Sequence, residues 1–497
     1  MCLEVRNIKF LNEQQREEIG FTYLLDRLEP ITPFGLEEKK NLKPFTSEEA
    51  LQLTVELAML QTVIESLNLN EAYYEQLQSQ LYCLKDIRGS IKRCTNSEIL
   101  DEIELFELKT FLLKLDNISH IIKQIDLSIS YAQLNPISEA LNILDPEGKR
   151  IPSFYIYDVY SKKLSLIRNQ KRLLEHKIML TKEESAVKAL MEERAKIVII
   201  EEYEDLEVRQ TLSHNLKQYM ALLSDSISKI GKIDLLIAKA KLSIKYEGIK
   251  PEISKAQPMV LKELTNPMLS DLLKESGSVF TPINIELTPG TAILTGANMG
   301  GKSVAMKTIV LNLLLAQYGF FVYARTAIIP QFDFLYLISG DMQSSTGGLS
   351  TFGAEIISLK ESLCYAKKEK GFIAIDEFAR GTNPQEGAIL VKALVHYLSS
   401  FESISLISTH FDGIADENTV HYQIIGLKNV NFTYLKQQIS IQPDASTAII
   451  QRYMDYRLER VQNHCKVPKD ALNICTLLGL DNELINLIIK YYGKIGE

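Results

Sequence analysis

The 497-residue sequence contains no apolar run long enough to cross a bilayer. Its longest apolar stretches, such as Ile309 to Ala316, fall well short of the roughly 20 residues that a membrane-spanning helix needs. The first twenty residues carry four glutamates and no apolar block, so no signal peptide is predicted. We therefore expect a soluble protein with a cytoplasmic location and no membrane partner.

Paired cysteines and an excess of positive charge are also missing. The six cysteines lie far apart without any C-x-x-C pair, which argues against a zinc site and fits reduced thiols. The formal net charge of -8 gives no overall attraction to nucleic acid or to an anionic membrane, but it does not exclude a local basic face. The length allows two to four domains with substantial cores.

What the sequence does contain is a phosphate-binding pattern, G-x-x-x-x-G-K-[ST], from Gly296 to Ser303. Two predicted strands, Ile283 to Leu287 and Thr291 to Thr295, precede it, and the apolar run Val304 to Tyr318 predicts a helix after it. A glycine-rich turn in that context points backbone N–H groups at an anion. Lys302 would reach the β- and γ-phosphates and Ser303 would hold Mg²⁺. The residues expected to bind phosphate are Gly296, Asn298, Gly300, Gly301, Lys302 and Ser303.

A second polar cluster is predicted where two buried strands end. The apolar run from Gly371 ends in Asp376 and Glu377, as in a parallel strand whose C-terminal end faces a ligand crevice. Asp376 would complete the Mg²⁺ shell, and Glu377 would orient or deprotonate the attacking water. Paired acids also occur in caps and turns, but the phosphate loop favours the catalytic interpretation. The strand Ile404 to Ser408 leads to His410, a candidate γ-phosphate sensor rather than a core histidine.

The first 250 residues predict helix after helix and show no catalytic constellation. Between Tyr160 and Tyr246 the apolar residues follow coiled-coil spacing, which predicts two arm helices over about 160–200 and 206–246. The β-prone run Ile197 to Ile200 and the acids that follow it predict a break between them. A nucleotide-binding domain is predicted after residue 250, with short strands at Phe320 to Tyr323 and Phe334 to Ile338.

Two stretches leave alternatives open. Phe280 lies two strands ahead of the phosphate loop and could stack on a purine or belong to the core. The segment from Gly347 to Glu355 opens a helix with glycines and hydroxyl residues. Such a helix start can hold an anion or merely be well capped.

Together these motifs resemble the MutS family, whose ATPase belongs to the ABC class. T-G-A-N-M-G-G-K-S is similar to the family's phosphate loop, and S-T-F-G-A-E from Ser350 is similar to its signature segment. I-D-E-F-A-R-G-T, which contains Asp376, resembles the Walker B strand, and S-T-H-F, which contains His410, resembles the histidine switch. Order and approximate intervals also agree. The similarity is clear from about Met259 to Phe411.

The resemblance implies a fold and a mechanism. The fold would be an α-helical core and lever region over 1–250, an α/β ABC-type P-loop ATPase domain over 251–440 and a small C-terminal helical dimerisation element over 441–497. The activity would be Mg²⁺-dependent ATP hydrolysis in a homodimer. Ser350 and Thr351 of one subunit would meet the γ-phosphate held by Lys302 of the other. The resemblance also favours Phe280 as the residue that stacks on adenine.

Several departures bear on the biology. The lesion-reading Phe-x-Glu motif occurs nowhere in the chain, and Leu349 replaces the arginine usual before the signature. Only about Ile197 to Leu212 is free for a clamp between the arm helices. The acids there, placed at an arm tip, would repel a DNA duplex. They are Glu201, Glu202, Glu204 and Asp205.

We therefore expect a MutS-like conformational switch that remodels a protein partner. Short family members without a clamp reactivate adenosylcobalamin-dependent aminomutases, so such an enzyme is a candidate partner. The alternative is a DNA-binding protein of repair or recombination that recognises mismatched or branched DNA.

Overall fold

A computed structural model describes residues 9–254, 258–296, 301–339, 351–416, 419–441, 446–461 and 471–495. The chain forms two compact units. One consists of residues 29–42 and 59–240, and the other consists of residues 1–28, 43–58 and 241–497.

The first half of the chain is helical. Local sequence explains individual elements: the Asp101 side chain accepts the Glu104 backbone N–H, and the Glu104 side chain accepts the Asp101 N–H, a capping box that starts a 24-residue helix. That helix buries leucines at helical spacing, including Leu105, Leu108 and Leu112. The helices are α1 (Glu13–Glu18), α2 (Phe21–Asp26), α3 (Pro33–Lys40), α4 (Ala50–Leu69), α5 (Glu71–Tyr82), α6 (Arg88–Thr95), α7 (Glu102–Ile125), α8 (Ser138–Leu144), α9 (Lys162–Leu180), α10 (Glu184–Leu216) and α11 (Met220–Lys245).

The arm helices differ from the prediction. Helix α9 ends at Leu180, α10 runs unbroken from Glu184 to Leu216, and the turn between them lies at 181–183. The predicted break near 197–205 is wrong, and so are the predicted bounds of 160–200 and 206–246. β-Branched residues such as those at 197–200 cost only a few tenths of a kcal/mol each in a helix. Contacts between α9 and α10 outweigh that cost.

These contacts are ion pairs made by the acids of α10. Arg168 Nε lies 3.2 Å from Glu201 Oε1, and Arg168 Nη2 lies 3.3 Å from Asp205 Oδ1. Lys171 also contacts Glu201. Glu204 pairs with Lys163 at 2.7 Å and accepts a hydrogen bond from Ser161 Oγ. Glu201, Glu204 and Asp205 are therefore paired with cations along the hairpin, away from the turn at 181–183. The prediction that these acids lie at the tip of the arm is wrong.

The second half of the chain contains the strands. Continuous apolar runs give strands that are buried along their whole length, as expected of parallel strands covered on both faces. The elements are β1 (Glu252–Ser254), β2 (Met259–Leu264), α12 (Pro267–Glu275), β3 (Ile283–Leu287), β4 (Gly290–Thr295), α13 (Lys302–Gln317), β5 (Thr326–Pro330), β6 (Phe334–Ser339), α14 (Thr351–Ala366), β7 (Gly371–Asp376), α15 (Pro384–Leu398), β8 (Ile404–Ser408), β9 (Val420–Gly426), α16 (Phe432–Ile441), α17 (Ser446–Tyr453), β10 (Asp455–Arg460), α18 (Ala471–Leu477) and α19 (Asn482–Ile495).

These strands form two sheets. The larger has the order β10-β9-β4-β8-β7-β6, parallel except for the antiparallel edge strand β10. The smaller has the order β1-β5-β2-β3 and is mixed. Because β4, β7 and β8 are parallel neighbours, the residues after their C-terminal ends meet at one edge of the larger sheet. The predicted class, a helical region followed by an α/β ATPase-type domain and C-terminal helices, is confirmed.

Two local predictions are wrong. Phe320 to Tyr323 is not a strand but contributes a single bridge, Val322 to Ile249, and the strand β5 follows it instead. The segment 441–497 is not helical throughout, because β10 lies within it and pairs with β9. An alternating pattern of polar and apolar residues suits β10 to a sheet edge. No helix in the described ranges combines the length and hydropathy needed to cross a bilayer.

Candidate functional site

The phosphate-loop pattern lies between β4 and α13, as the sequence predicts. Gly301 is the N-cap of α13 and has a left-handed backbone, with φ of 89°. A Cβ atom at Gly301 would lie 3.0 Å from Cδ1 of Tyr456 on β10. The left-handed backbone favours glycine at this position, and the Tyr456 ring would have to shift to admit a larger residue. Asn298 and Gly300 lie outside the described residues.

Lys302 is the first residue of α13, and its ammonium group is buried at the loop. Its Nζ donates to the carbonyl oxygen of Gly296 at 3.0 Å and lies 3.3 Å from Oε1 of Glu377. The other carboxylate oxygen of Glu377 lies 2.8 Å from Nη1 of Arg380. The structure thus brings the predicted phosphate-binding lysine and the predicted catalytic acid into direct contact. Ser303 follows in the first turn of α13.

Asp376 ends β7 and is buried beside Ser408, which ends β8. The Ser408 hydroxyl donates to Oδ1 of Asp376 and accepts the backbone N–H of Glu377 at 3.0 Å. One carboxylate oxygen of Asp376 is therefore oriented by Ser408. Among the described residues no group of three His, Cys, Asp or Glu could hold a metal ion by itself. The oxygen atoms of Asp376 and Ser303 fit Mg²⁺, which prefers one or two protein oxygens together with phosphate oxygens.

The chain after β7 is strained. Glu377 and Ala379 both have left-handed backbone conformations, with φ of 48° and 61°. Such conformations cost roughly 1–3 kcal/mol for a residue with a side chain and persist only where surrounding contacts impose them. Here the backbone N–H of Glu377 is bound by Ser408, and that of Ala379 donates to Oε2 of Glu355 on α14 at 3.1 Å.

His410 follows β8 and lies at the same sheet edge. It is partly buried, and its ring lies 4.1 Å from that of Phe411. Burial lowers the pKa of His410 below its ordinary value; Glu377 opposes this shift, whereas Lys302 and Arg380 add to it. The ring is therefore close enough to feel the site's charges and is neutral at neutral pH.

The structure gives less information on the remaining predicted site residues. Phe280 is buried just ahead of β3, a position that fits either of its two interpretations. Ser350 lies outside the described residues, and of Thr351 only the backbone, at the start of α14, is described. Their roles toward a nucleotide stay predictions.

Two side chains at the site, Ser408 and His421, escaped the sequence interpretation, and Glu355 was named there only as part of the signature segment, without a role of its own. His421 on β9 is buried, and its Nε2 lies 2.7 Å from the hydroxyl of Thr295, the last residue of β4. Ser408 occupies the last position of an apolar strand, next to the predicted acids, which was a usable signal. Nothing local in the sequence indicates the partners of Glu355 and His421.

The part of the chain that contains this site is similar to known proteins. Residues 292–473 match the family model of MutS domain V. The DNA mismatch repair protein MutS of Listeria monocytogenes serovar 1/2a is 26% identical over 268 residues, which are 53% of this chain and 31% of that protein. Endonuclease MutS2 of Halothermothrix orenii is 31% identical over 239 residues, which are 47% of this chain and 29% of that protein. The similar stretch thus spans about a third of the length of these relatives.

Proposed function

Because residues 292–473 carry a MutS domain V, the ATPase domain of MutS proteins, we propose that the chain binds and hydrolyses Mg²⁺-ATP and uses the cycle as a conformational switch. One observation carries the proposal: Lys302 Nζ, at the start of the phosphate-loop helix, lies 3.3 Å from the Glu377 carboxylate at the end of β7. A γ-phosphate bound by Lys302 would lie next to a carboxylate able to act on water.

Each residue of the site has its own role in the transfer of the γ-phosphoryl group to water. Lys302 and the loop N–H groups bind the phosphates. Ser303 and Asp376 would hold Mg²⁺, which would supply positive charge to the phosphate oxygens. Glu377 orients the attacking water and accepts its proton. Ser408 orients Asp376 and holds the Glu377 backbone. His410, neutral near pH 7, donates a hydrogen bond to the γ-phosphate.

We further propose that two copies act together, with Ser350 and Thr351 of one copy completing the site of the other. The C-terminal helix α19 supports this proposal. Leu484, Leu487 and Tyr491 lie on one face of α19 and are 45%, 51% and 65% exposed. An exposed apolar face of this kind commonly marks a protein contact.

The partner that we propose for the switch is a protein, such as an aminomutase, rather than DNA. The outward faces of the α9–α10 hairpin support this choice. Leu166, Leu173 and Leu180 recur at seven-residue spacing along α9, and each is at least 65% exposed. Ile199 and Tyr203 on α10 are 66% and 61% exposed. Apolar side chains suit a protein contact, whereas binding to a DNA backbone depends on Lys and Arg.

A DNA-binding role is the second candidate, and two observations favour it. One of the two relatives named above is a DNA mismatch repair protein. Helix α9 also exposes cations, among them Lys162, Arg172 and Lys177, and the acids of α10 that face α9 are already paired. A duplex contact would make binding fall steeply as salt rises.

The experiment measures ATP turnover and nucleotide binding for the wild type, Lys302→Ala and Glu377→Gln. Lys302→Ala should abolish binding of a fluorescent ATP analogue. Glu377→Gln should keep binding but lower turnover by about 100-fold or more, as loss of a general base does. Normal turnover by Glu377→Gln, or unchanged affinity in Lys302→Ala, contradicts the proposed ATPase site.

The same assay separates the two partner classes. Wild-type turnover is measured with mismatched and branched DNA at low and moderate salt, and with a purified aminomutase. Stimulation by the enzyme, lost when Leu166 and Leu173 are both changed to Asp, supports the protein partner. Stimulation by DNA that disappears at moderate salt supports the second candidate instead.

A further inference from the structure

Two contacts join helix α14 to the strained segment that follows Asp376. The buried carboxylate of Glu355 accepts the backbone N–H of Ala379 at 3.1 Å. One helical turn earlier, the Phe352 ring lies 6.2 Å from the Phe378 ring, centroid to centroid. Glu377 is the residue immediately before Phe378, so both contacts are made within two residues of the proposed catalytic carboxylate.

The contact between Glu355 and the Ala379 N–H is shielded from solvent. Ala379 is fully buried, Phe378 is nearly so, and the Glu355 side chain is 7% exposed. A buried N–H that loses its acceptor is left unsatisfied, and the backbone relaxes to recover a partner. Relaxation is favoured here because Glu377 and Ala379 are both left-handed.

We propose that Glu355, together with Phe352, is a positioning residue for Glu377. By accepting the Ala379 N–H, Glu355 keeps the left-handed turn in place and so aims the Glu377 carboxylate at the Lys302 side of the site. This inference rests on the proposed ATPase function and extends it. Glu355 touches no reacting atom, so its effect should fall on the catalytic step rather than on nucleotide binding.

The test compares Glu355→Ala with Glu355→Gln and with Leu359→Ala. Glutamine keeps a carbonyl oxygen of similar reach, so it can still accept the Ala379 N–H. Leu359 lies one turn further along α14, is 9% exposed, and packs in the same apolar cluster as Phe378 and Ala379 without bonding to the turn. It therefore serves as a control for a general loss of packing.

Glu355→Ala should lower kcat about 10- to 100-fold, because small misplacement of a reacting group has effects of that size. Its KM for ATP and its affinity for an ATP analogue should stay unchanged. Glu355→Gln should retain most of the turnover. Leu359→Ala should lower the melting temperature but keep its kcat at temperatures where it is folded.

Wild-type kcat in Glu355→Ala would overturn the inference. So would an equal loss in Glu355→Gln, or an equal loss in folded Leu359→Ala. Hydrogen exchange gives a readout that does not depend on ATP hydrolysis: Glu355→Ala should speed exchange in the peptide covering 377–380, and Glu355→Gln should not. Unchanged protection in Glu355→Ala contradicts the inference even if the protein proves not to be an ATPase.

Discussion

At the scale of single residues, the site is supported by buried polar groups that the chemistry does not use directly. Ser408 orients Asp376, and His421 bonds to Thr295 at the entrance to the phosphate loop. Nδ1 of His421 is buried and has no hydrogen-bond partner among the residues that the structure describes. Burial lowers the pKa of His421, because a charged imidazole would lose its hydration there.

That lowered pKa predicts how stability depends on pH. Below about pH 6.5 the unfolded chain binds a proton at this histidine, whereas the folded chain does not until the pH falls through the lowered pKa. The free energy of unfolding should therefore decrease as the pH falls through this window. His421→Gln should flatten the slope, by at most about 1.4 kcal/mol per pH unit for one proton.

Urea unfolding at several pH values between 7 and 5 measures this slope. His120→Gln is the matched control, since the His120 side chain is 69% exposed. His410 contributes a slope of the same sign, so His421→Gln should flatten the dependence without abolishing it. A slope identical to that of the wild type and of the His120 control would contradict the prediction.

At the scale of elements, strands were easier to predict than the arm. The predicted strands Ile283 to Leu287 and Ile404 to Ser408 coincide with β3 and β8. The alternating apolar residues of β3 are typical of a half-buried strand, and the continuous apolar run of β8 is typical of a fully buried one. The helix break near Ile197 was wrong because its evidence was local. Whether Glu201 ends a helix or pairs across a hairpin depends on Arg168 and Lys171, some thirty residues earlier.

The hairpin's ion pairs give a prediction about stability. Arg168 is only 20% exposed and binds Glu201, Asp205 and Asp158, as well as the carbonyl oxygen of Ile156. Arg168→Ala leaves partly buried acids without their shared cation, so it should destabilise the fold by about 2 kcal/mol. Its neighbour Arg172 is 64% exposed, and Arg172→Ala should change stability by less than about 0.5 kcal/mol.

Thermal unfolding followed by circular dichroism measures both variants. The expected order is a clear drop in the midpoint for Arg168→Ala and almost none for Arg172→Ala. Equal midpoints for the two variants would mean that the buried network contributes no more than a surface ion pair.

At the scale of the whole molecule, the order of the helical region and the α/β domain was predicted better from the sequence than the residues at which each one ends. The motifs from Gly296 to His410 predicted one sheet edge, and the structure gathers Lys302, Asp376, Glu377 and His410 there. The role of Glu355 could not be found this way, because its partner Ala379 is identified only by the packing of α14 on the turn. The strand β10 was missed because an alternating edge strand carries few apolar residues.

The proposed dimer gives a prediction at this scale. Leu487→Glu places a charge in the middle of the exposed apolar face of α19, so it should convert the dimer to a monomer. Turnover should fall with it, because each site would lose the residues supplied by the other copy. Asn486→Glu, an exposed polar position on the same helix, is the control and should remain a dimer.

Sedimentation velocity at micromolar concentration distinguishes the two states. A wild-type monomer, or a Leu487→Glu variant that sediments with the wild-type dimer, would contradict the assignment of this face to a second copy.

The position of Tyr456 determines where a fragment of the ATPase domain can end. Its ring packs on Gly301 from a strand that lies beyond the expected end of the ATPase domain at 440. A fragment truncated at residue 440 would lack β10. It would therefore expose the edge of β9 and lose the contact of Tyr456 with Gly301. Anyone wishing to excise a minimal catalytic piece should place its last residue no earlier than Arg460.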